Sequence, residues 1–239
     1  GSRARKSSAG YDLTKLIVGS EGTLGVITEL TLRLQGIPEE IASAICSFPD
    51  TASAVRTIIE TIQIGIPIAR SELMDSTSIE AVNEYSKLGL PIKEHLFFEF
   101  HGSATSVKEQ SETVQEIAAG NGGGDFHWST ATEDRNKLWK ARHNYYYAIK
   151  AKNPNHTFLV TDICVPISNL AEMIDQTAKE MKSKGMAPSI MGHVGDGNFH
   201  SGIMVRPNTD DDRNIAKDLT RRIVERALEL EGTCTGEHG

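Results

Sequence analysis

The feature of this chain that most restricts its fold is the alternation of short strand-like runs with helical stripes. The run at 41–48 has strand composition, and the stretch after it places Val55, Ile58 and Ile62 on one helical face. Asp50 can cap this helix and Gly65 can end it. Units of this kind build a mixed or antiparallel sheet with helices on one face, so the pattern predicts an α+β fold.

The same alternation continues to the end of the chain. No GxGxxG turn follows a first strand, so a dinucleotide-binding Rossmann fold is not indicated. Ahead of the alternation, the stretch 13–34 predicts two strands joined by a glycine-rich loop, and Gly36 with Pro38 marks a boundary after it. Further strands are predicted at 67–74, 96–100, 157–165, 188–193 and 200–205, and further helices at 78–88, 107–118, 133–152, 168–184 and 215–230.

Composition excludes several classes of protein. The formal net charge is −7 and no basic stripe is present, so nucleic acid is not expected as a partner. The apolar runs are too short and too interrupted for a membrane span. The three cysteines are an odd number at wide spacing, which argues against a disulfide framework and fits a reducing compartment.

The glycine-rich loop is the first candidate site. Glycines let a backbone approach a ligand closely with its amides free, and hydroxyls add further donors. A plain connection between two strands explains the same composition, so the loop alone leaves both readings open. The candidate residues are Ser20, Glu21, Gly22, Thr23 and Gly25.

A pair of histidines forms the second candidate site. His193 follows one apolar run, His200 begins another, and Asp196-Gly197 between them favours a tight turn. A hairpin would bring the two imidazoles together, and imidazoles suit zinc, manganese or iron. A structural role for the pair remains open at this point.

The last residues supply two further chemical groups. Glu237 can complete a two-histidine, one-carboxylate metal site, and His238 beside it can act as a base. On its own this stretch also reads as a frayed terminal turn.

The predicted helix 133–152 carries a candidate anion grip. Trp139, Arg142 and Tyr146 share one helical face. An arginine held between aromatic rings can bind a carboxylate through two parallel hydrogen bonds. The alternative is an exposed arginine with packed aromatics.

Five segments together resemble the FAD-linked oxidases of the vanillyl-alcohol-oxidase type. Within that family the mitochondrial D-lactate dehydrogenases (cytochrome) are the most similar subgroup. The resemblance covers essentially the whole chain, and its last two segments are the most specific. The segments are KSSAGYDLT at 6–14, GSEGTLG at 19–25, LWKAR at 138–142, GHVGDGNFH at 192–200 and GTCTGEHG at 232–239.

The resemblance implies two parts and a set of roles. Residues 1–36 would be the tail of an FAD-binding domain, and residues 37–239 would be the substrate or cap domain, truncated at its end. The isolated chain is therefore expected to bind FAD weakly or not at all and to be inactive. The implied roles are metal ligands for His193, His200 and Glu237, catalytic base for His238, substrate contacts for Arg142 and Tyr146, and FAD contacts for the loop Ser20–Gly25.

The resemblance also implies a reaction. It is the FAD-dependent oxidation of a D-2-hydroxy acid, D-lactate to pyruvate, with a divalent metal such as zinc or manganese. Electrons would pass to cytochrome c or another acceptor in the mitochondrion. The alternatives are a D-2-hydroxyglutarate dehydrogenase, a glycolate oxidase subunit, and a non-catalytic fragment or binding module. The stretch 157–162 lacks a cation that could grip a second carboxylate, which favours a monocarboxylate substrate.

Overall fold

Strands and helices alternate from residue 40 onward. A computed structural model describes residues 3–237. The strands are β1 (Glu40–Phe48), β2 (Ile68–Met74), β3 (Glu94–Gly102), β4 (His127–Ser129), β5 (Thr157–Val160), β6 (Ile163–Cys164), β7 (Ile190–Gly192) and β8 (Asn198–Val205). The helices are α1 (Leu13–Leu16), α2 (Thr51–Gln63), α3 (Ser76–Ser86), α4 (Ala104–Gly120), α5 (Thr132–His143), α6 (Tyr145–Lys152), α7 (Ile167–Ser183) and α8 (Asp210–Glu229).

Side-chain caps set the start of three helices. The carboxylate of Asp50 accepts the amide of Ser53 at 2.7 Å at the start of α2. Asp75 accepts the amide of Ser78 at 2.8 Å at the start of α3. Each cap satisfies a backbone donor that has no partner inside its helix. Ser103 plays the same part for α4.

All the strands described belong to one antiparallel sheet. Its order is β4-β1-β3-β2-β7-β8-β5, and β6 pairs with β8. This confirms the α+β fold with an antiparallel sheet. Leu73 pairs with Gly192 and Met191 pairs with His200, so β2 lies directly beside the β7–β8 hairpin although 116 positions separate Met74 from Ile190 along the chain. This pairing places the functional residues described below.

Helices pack on both faces of the sheet. The four long helices α2, α4, α7 and α8 cover one face and build the larger core. The shorter helices α3, α5 and α6 cover the other face, which the sequence analysis did not anticipate. The reason lies in the central strands, where Phe97 and Phe98 are both buried on opposite faces.

The stretch 13–34 does not form the two predicted strands. Its only helix or strand is α1, and nearly all its apolar side chains lie in solvent, with Val26 at 88% exposure and Leu34 at 86%. A strand needs a neighbour that completes its backbone hydrogen bonds, and among residues 3–237 no strand pairs with this stretch. The strand prediction was therefore wrong for this segment.

The long helix predicted for 133–152 is interrupted at Asn144, between α5 and α6. At this junction the side-chain amide of Asn144 donates to the Ser86 hydroxyl of α3 at 3.0 Å. Arg142 and Tyr146 therefore lie on different helices. No helix in the part of the chain that the structure describes has the length and apolarity to cross a membrane.

Candidate active site

A tight turn between β7 and β8 positions the two histidines. His193 directly follows β7, a single 3-10 turn covers Val194–Asp196, and Gly197 adopts a left-handed φ of 78° before β8 begins. The His193 carbonyl accepts the amides of Asp196 and Asn198. The turn thus reverses the direction of the chain, so that His200, the third residue of β8, lies beside His193.

His193, His200 and Glu237 converge on one point. The Glu237 carboxylate lies 2.9 Å from His200 Nε2 and 3.5 Å from His193 Nε2. The imidazole rings are 5.9 Å apart between centroids and nearly perpendicular. Each residue offers one atom that could bind a metal ion, and these three atoms lie within 4.8 Å of one another. Two imidazole nitrogens and a carboxylate oxygen at this separation fit a divalent metal such as zinc or manganese.

A buried carboxylate from β2 supports the histidine pair. Glu72 is 2% exposed. One of its oxygens lies 2.7 Å from His193 Nδ1, and the other lies 3.4 Å from Arg142 Nη2. The hydrogen bond to Glu72 raises the pKa of His193. Glu72 was not among the predicted site residues; the visible signal was an acidic residue within the predicted strand 67–74.

A second buried carboxylate holds the segment that carries Glu237. One oxygen of Asp162 accepts the backbone amides of Gly236 and Glu237, both at 2.8 Å. The same oxygen accepts the Thr235 hydroxyl at 3.0 Å, and the other oxygen accepts the Asn198 amide at 2.8 Å. Asp162 therefore ties the last described residues to the start of β8. The sequence analysis did not assign Asp162 to the site.

The proposed carboxylate grip is only partly assembled. Arg142 reaches the site through its contact with Glu72, and its side chain is half-buried. Trp139 points into the core, where its indole N–H donates to the Ser43 hydroxyl at 2.9 Å. Tyr146 packs edge-on against Tyr147 and Phe158, with half of its surface in solvent. Trp139 thus packs in the core, and the aromatic flanks predicted for Arg142 are not both at the site.

The glycine-rich loop is an exposed turn. The Thr23 amide and hydroxyl both donate to the Ser20 carbonyl, and Glu21 and Gly22 have positive φ. Its predicted contacts with FAD, through Ser20, Glu21, Gly22, Thr23 and Gly25, stay a prediction. His238, the predicted base, lies outside the described residues.

Two curated proteins that are similar to this chain are both named as mitochondrial D-lactate dehydrogenases. The chain is 48% identical to the "Probable D-lactate dehydrogenase, mitochondrial" of Danio rerio, over 100% of this chain and 48% of that protein. It is 45% identical to the "D-lactate dehydrogenase [cytochrome], mitochondrial" of Arabidopsis thaliana, over 100% of this chain and 42% of that protein. The chain thus spans about half the length of the curated relatives it matches or less.

Structural and family comparisons place the fold. An alkyldihydroxyacetonephosphate synthase structure superposes with a TM-score of 0.67 and 16% identity, over 95% of this chain and 46% of that one. At this identity the likeness concerns the fold alone. Residues 37–239 match the family "FAD linked oxidases, C-terminal domain", and the chain belongs to that family.

Proposed function

We propose that this chain is the substrate-binding part of an FAD-dependent dehydrogenase that oxidises a D-2-hydroxy acid, with D-lactate as the first candidate. The observation that carries the proposal is the convergence of His193, His200 and Glu237 next to Arg142. A metal site next to a guanidinium suits a substrate that has a hydroxyl and a carboxylate on adjacent carbons. The family and the names of the relatives support the same chemistry.

Each residue has a defined task in this proposal. His193, His200 and Glu237 would hold a divalent cation, which as a Lewis acid would lower the pKa of the substrate hydroxyl. Arg142 would bind the substrate carboxylate, and Tyr146 would border the substrate. His238 would accept the hydroxyl proton. FAD, held in part by the loop Ser20–Gly25, would supply the two-electron oxidation that converts the 2-hydroxy acid to a 2-oxo acid.

The acceptor and the compartment belong to the same proposal. The Arabidopsis relative is named for a cytochrome acceptor, and both relatives are named mitochondrial. We infer that the electrons pass to cytochrome c, in the mitochondrion. A substrate with one carboxylate fits the stretch 157–162, which contains no lysine or arginine.

A substrate screen tests the proposal. A protein of the relatives' full length that contains this chain should bind FAD and reduce a dye acceptor with D-lactate. Glycolate and D-2-hydroxyglutarate serve as competitors, and cytochrome c then replaces the dye. Faster turnover of glycolate or D-2-hydroxyglutarate would transfer the assignment to that acid. Failure to oxidise any 2-hydroxy acid, with FAD bound, would refute the enzymatic function.

Three variants of the same protein separate the roles. His238→Ala should lower kcat by ~10²–10⁴-fold while metal content stays unchanged. His200→Ala should lower metal content and activity together. Arg142→Lys should mainly raise KM, because an ammonium group cannot form the forked contact with a carboxylate. Loss of metal in His238→Ala, or full metal content in His200→Ala, would contradict these roles.

A further inference from the structure

We propose that Glu72 is a positioning residue that locks His193 in its metal-binding tautomer and holds Arg142 at a set place beside it. The inference rests on the proposed function, because it concerns the metal and carboxylate sites assigned there. It adds a residue that would contact neither the metal nor the substrate and would act through His193 and Arg142.

Strand pairing brings Glu72 to the site. β2 pairs with β7 at Leu73 and Gly192, so Glu72 and His193 lie opposite each other one position further along, with His193 just past the end of β7. On its other side β2 pairs with β3 at Glu72 and Phe97, which fixes the backbone of Glu72, and Glu72 is 2% exposed. The carboxylate therefore has a fixed backbone position and little freedom of its own.

The first oxygen of Glu72 determines which nitrogen of His193 carries the proton. A carboxylate accepts hydrogen bonds, so its oxygen 2.7 Å from Nδ1 favours the tautomer with a proton on Nδ1. The lone pair is then on Nε2, the nitrogen that faces Glu237. Only an unprotonated nitrogen can bind a metal ion, so this contact prepares His193 for ligation. Carboxylates that hold a ligating histidine in this way also fix the orientation of its ring.

The second oxygen of Glu72 holds the guanidinium of Arg142. Nη2 lies 3.4 Å from this oxygen, so one edge of the guanidinium is engaged. The remaining donors of the guanidinium stay available for a substrate carboxylate. One carboxylate thus sets the spacing between a metal ligand and the substrate grip.

Because Glu72 is buried, each of its carboxylate oxygens needs a partner within the protein. An ionised carboxylate in the interior needs a partner for each oxygen, since it has left water. His193 and Arg142 provide one partner each. A role restricted to folding would also use these contacts, so the test must measure the site and the fold separately.

The decisive variant is Glu72→Gln, which keeps the shape of the side chain and removes its charge. The amide has one acceptor and one donor group. If its oxygen faces His193, its NH₂ opposes the N–H donors of the cationic Arg142, so this orientation is disfavoured. If its NH₂ faces His193, it favours a proton on Nε2 and blocks ligation. Titration of the 239-residue chain with Mn²⁺ or Zn²⁺ should therefore show ~10–100-fold weaker binding in the variant.

Glu99→Gln is the matched control. Glu99 lies on the adjacent strand β3, and its carboxylate is 2.9 Å from His101 Nε2. The Glu99→Gln variant therefore also removes a carboxylate–histidine contact from this sheet. This variant should bind the metal ion as the wild type does. Thermal unfolding of both variants without metal reports the fold. Equal melting temperatures with unequal metal affinity support positioning, whereas equal metal affinity for Glu72→Gln and wild type overturns it.

A second readout needs no metal. Side-chain ¹⁵N shifts of His193 in the neutral state should show the Nδ1–H tautomer in the wild type, with a loss of that preference in Glu72→Gln. If the wild-type chain binds neither ion, the metal part of the proposed function fails, and this tautomer measurement decides the inference. An unchanged His193 tautomer in Glu72→Gln overturns it.

Discussion

Asp162 is the residue on which the position of Glu237 most depends. One of its oxygens accepts three donors from residues 235–237. An asparagine has one acceptor oxygen and one NH₂ group, so Asp162→Asn must turn its NH₂ either toward these three donors or toward the side-chain NH₂ of Asn198, and it also removes the negative charge. Hydrogen bonds to a charged group contribute about 1.5–3 kcal/mol each. We expect the Mn²⁺ affinity of the chain to fall by at least about tenfold, measured by calorimetric titration.

The control for this change is Asp211→Asn, an exposed acid in the first turn of α8. It alters the net charge by the same amount and should leave the Mn²⁺ affinity as it is. Equal affinities in Asp162→Asn and wild type would show that Glu237 is held by other contacts.

Asp75 gives a pH-dependent contribution to stability. Burial raises its pKa from the ordinary 3.8 to about 7. Between these values the folded chain keeps a proton that the unfolded chain releases. The free energy of unfolding therefore falls as the pH rises through this window, by at most about 1.4 kcal/mol per pH unit. Asp75→Asn should remove this dependence, because an asparagine can still cap α3 without titrating.

Urea unfolding of both proteins between about pH 4.5 and pH 7.5 measures the effect. The stability of the wild type relative to Asp75→Asn should decline steadily over that range. Parallel curves would mean that Asp75 titrates alike in the folded and unfolded chains.

Contacts in the site between residues that are close in sequence were predictable, and contacts between residues that strand pairing brings together were not. His193 and His200 could be paired because seven positions and a turn former separate them. Glu72 reaches His193 only through the β2–β7 pairing, and a single sequence does not reveal that pairing. Asp162 was hidden for the same reason, since its partners come from residues 235–237.

At the level of elements, the turn between β7 and β8 is the most constrained. Gly197 has a φ of 78°, and a Cβ there would lie 2.1 Å from the Val165 carbonyl oxygen. Gly185 has a φ of 73° with nothing within 4 Å of such a Cβ. Gly185→Ala should therefore show backbone strain alone, roughly 1–2 kcal/mol. Gly197→Ala adds the clash and should destabilise the chain by clearly more.

Urea unfolding of the two alanine variants separates strain from clash. Gly197→Ala should also weaken Mn²⁺ binding, because the turn places His193 beside His200. A similar loss of stability in both variants would show that the loop relaxes around the new methyl group.

Elements with their own end signals were the easiest to predict. α2 and α3 begin at acidic caps, and both appear close to their predicted positions. The stretch 26–34 has strand composition but no pairing partner within residues 3–237, so composition misled there. The contact between Asn144 and Ser86 at the break between α5 and α6 spans 58 positions, so no local pattern reveals it.

On the scale of the whole molecule, the sheet and the first 36 residues differ sharply. The sheet buries aromatic and aliphatic side chains on both faces. Burial on both faces was predictable in principle from the unbroken apolar run Leu96-Phe97-Phe98. In a strand with one face in solvent, apolar and polar residues alternate along the sequence. The expectation of helices on one face came from the order of strands and helices, which does not show whether the central strands are buried on one side or on both.

Residues 1–36 should contribute little to the stability of the sheet. The apolar side chains described in this stretch are exposed apart from the partly buried Ile17, and α1 has no buried residue. A chain that starts at residue 37 should keep its free energy of unfolding within about 1 kcal/mol, which shifts Tm by roughly 2–4 °C for a chain of this size. A chain that starts at residue 49 is the contrasting variant, because it loses β1, which pairs with β3 along its whole length. That second truncation should abolish cooperative unfolding in a calorimetric scan. A large fall in Tm for the first truncation would instead make residues 1–36 part of the same folding unit as the sheet.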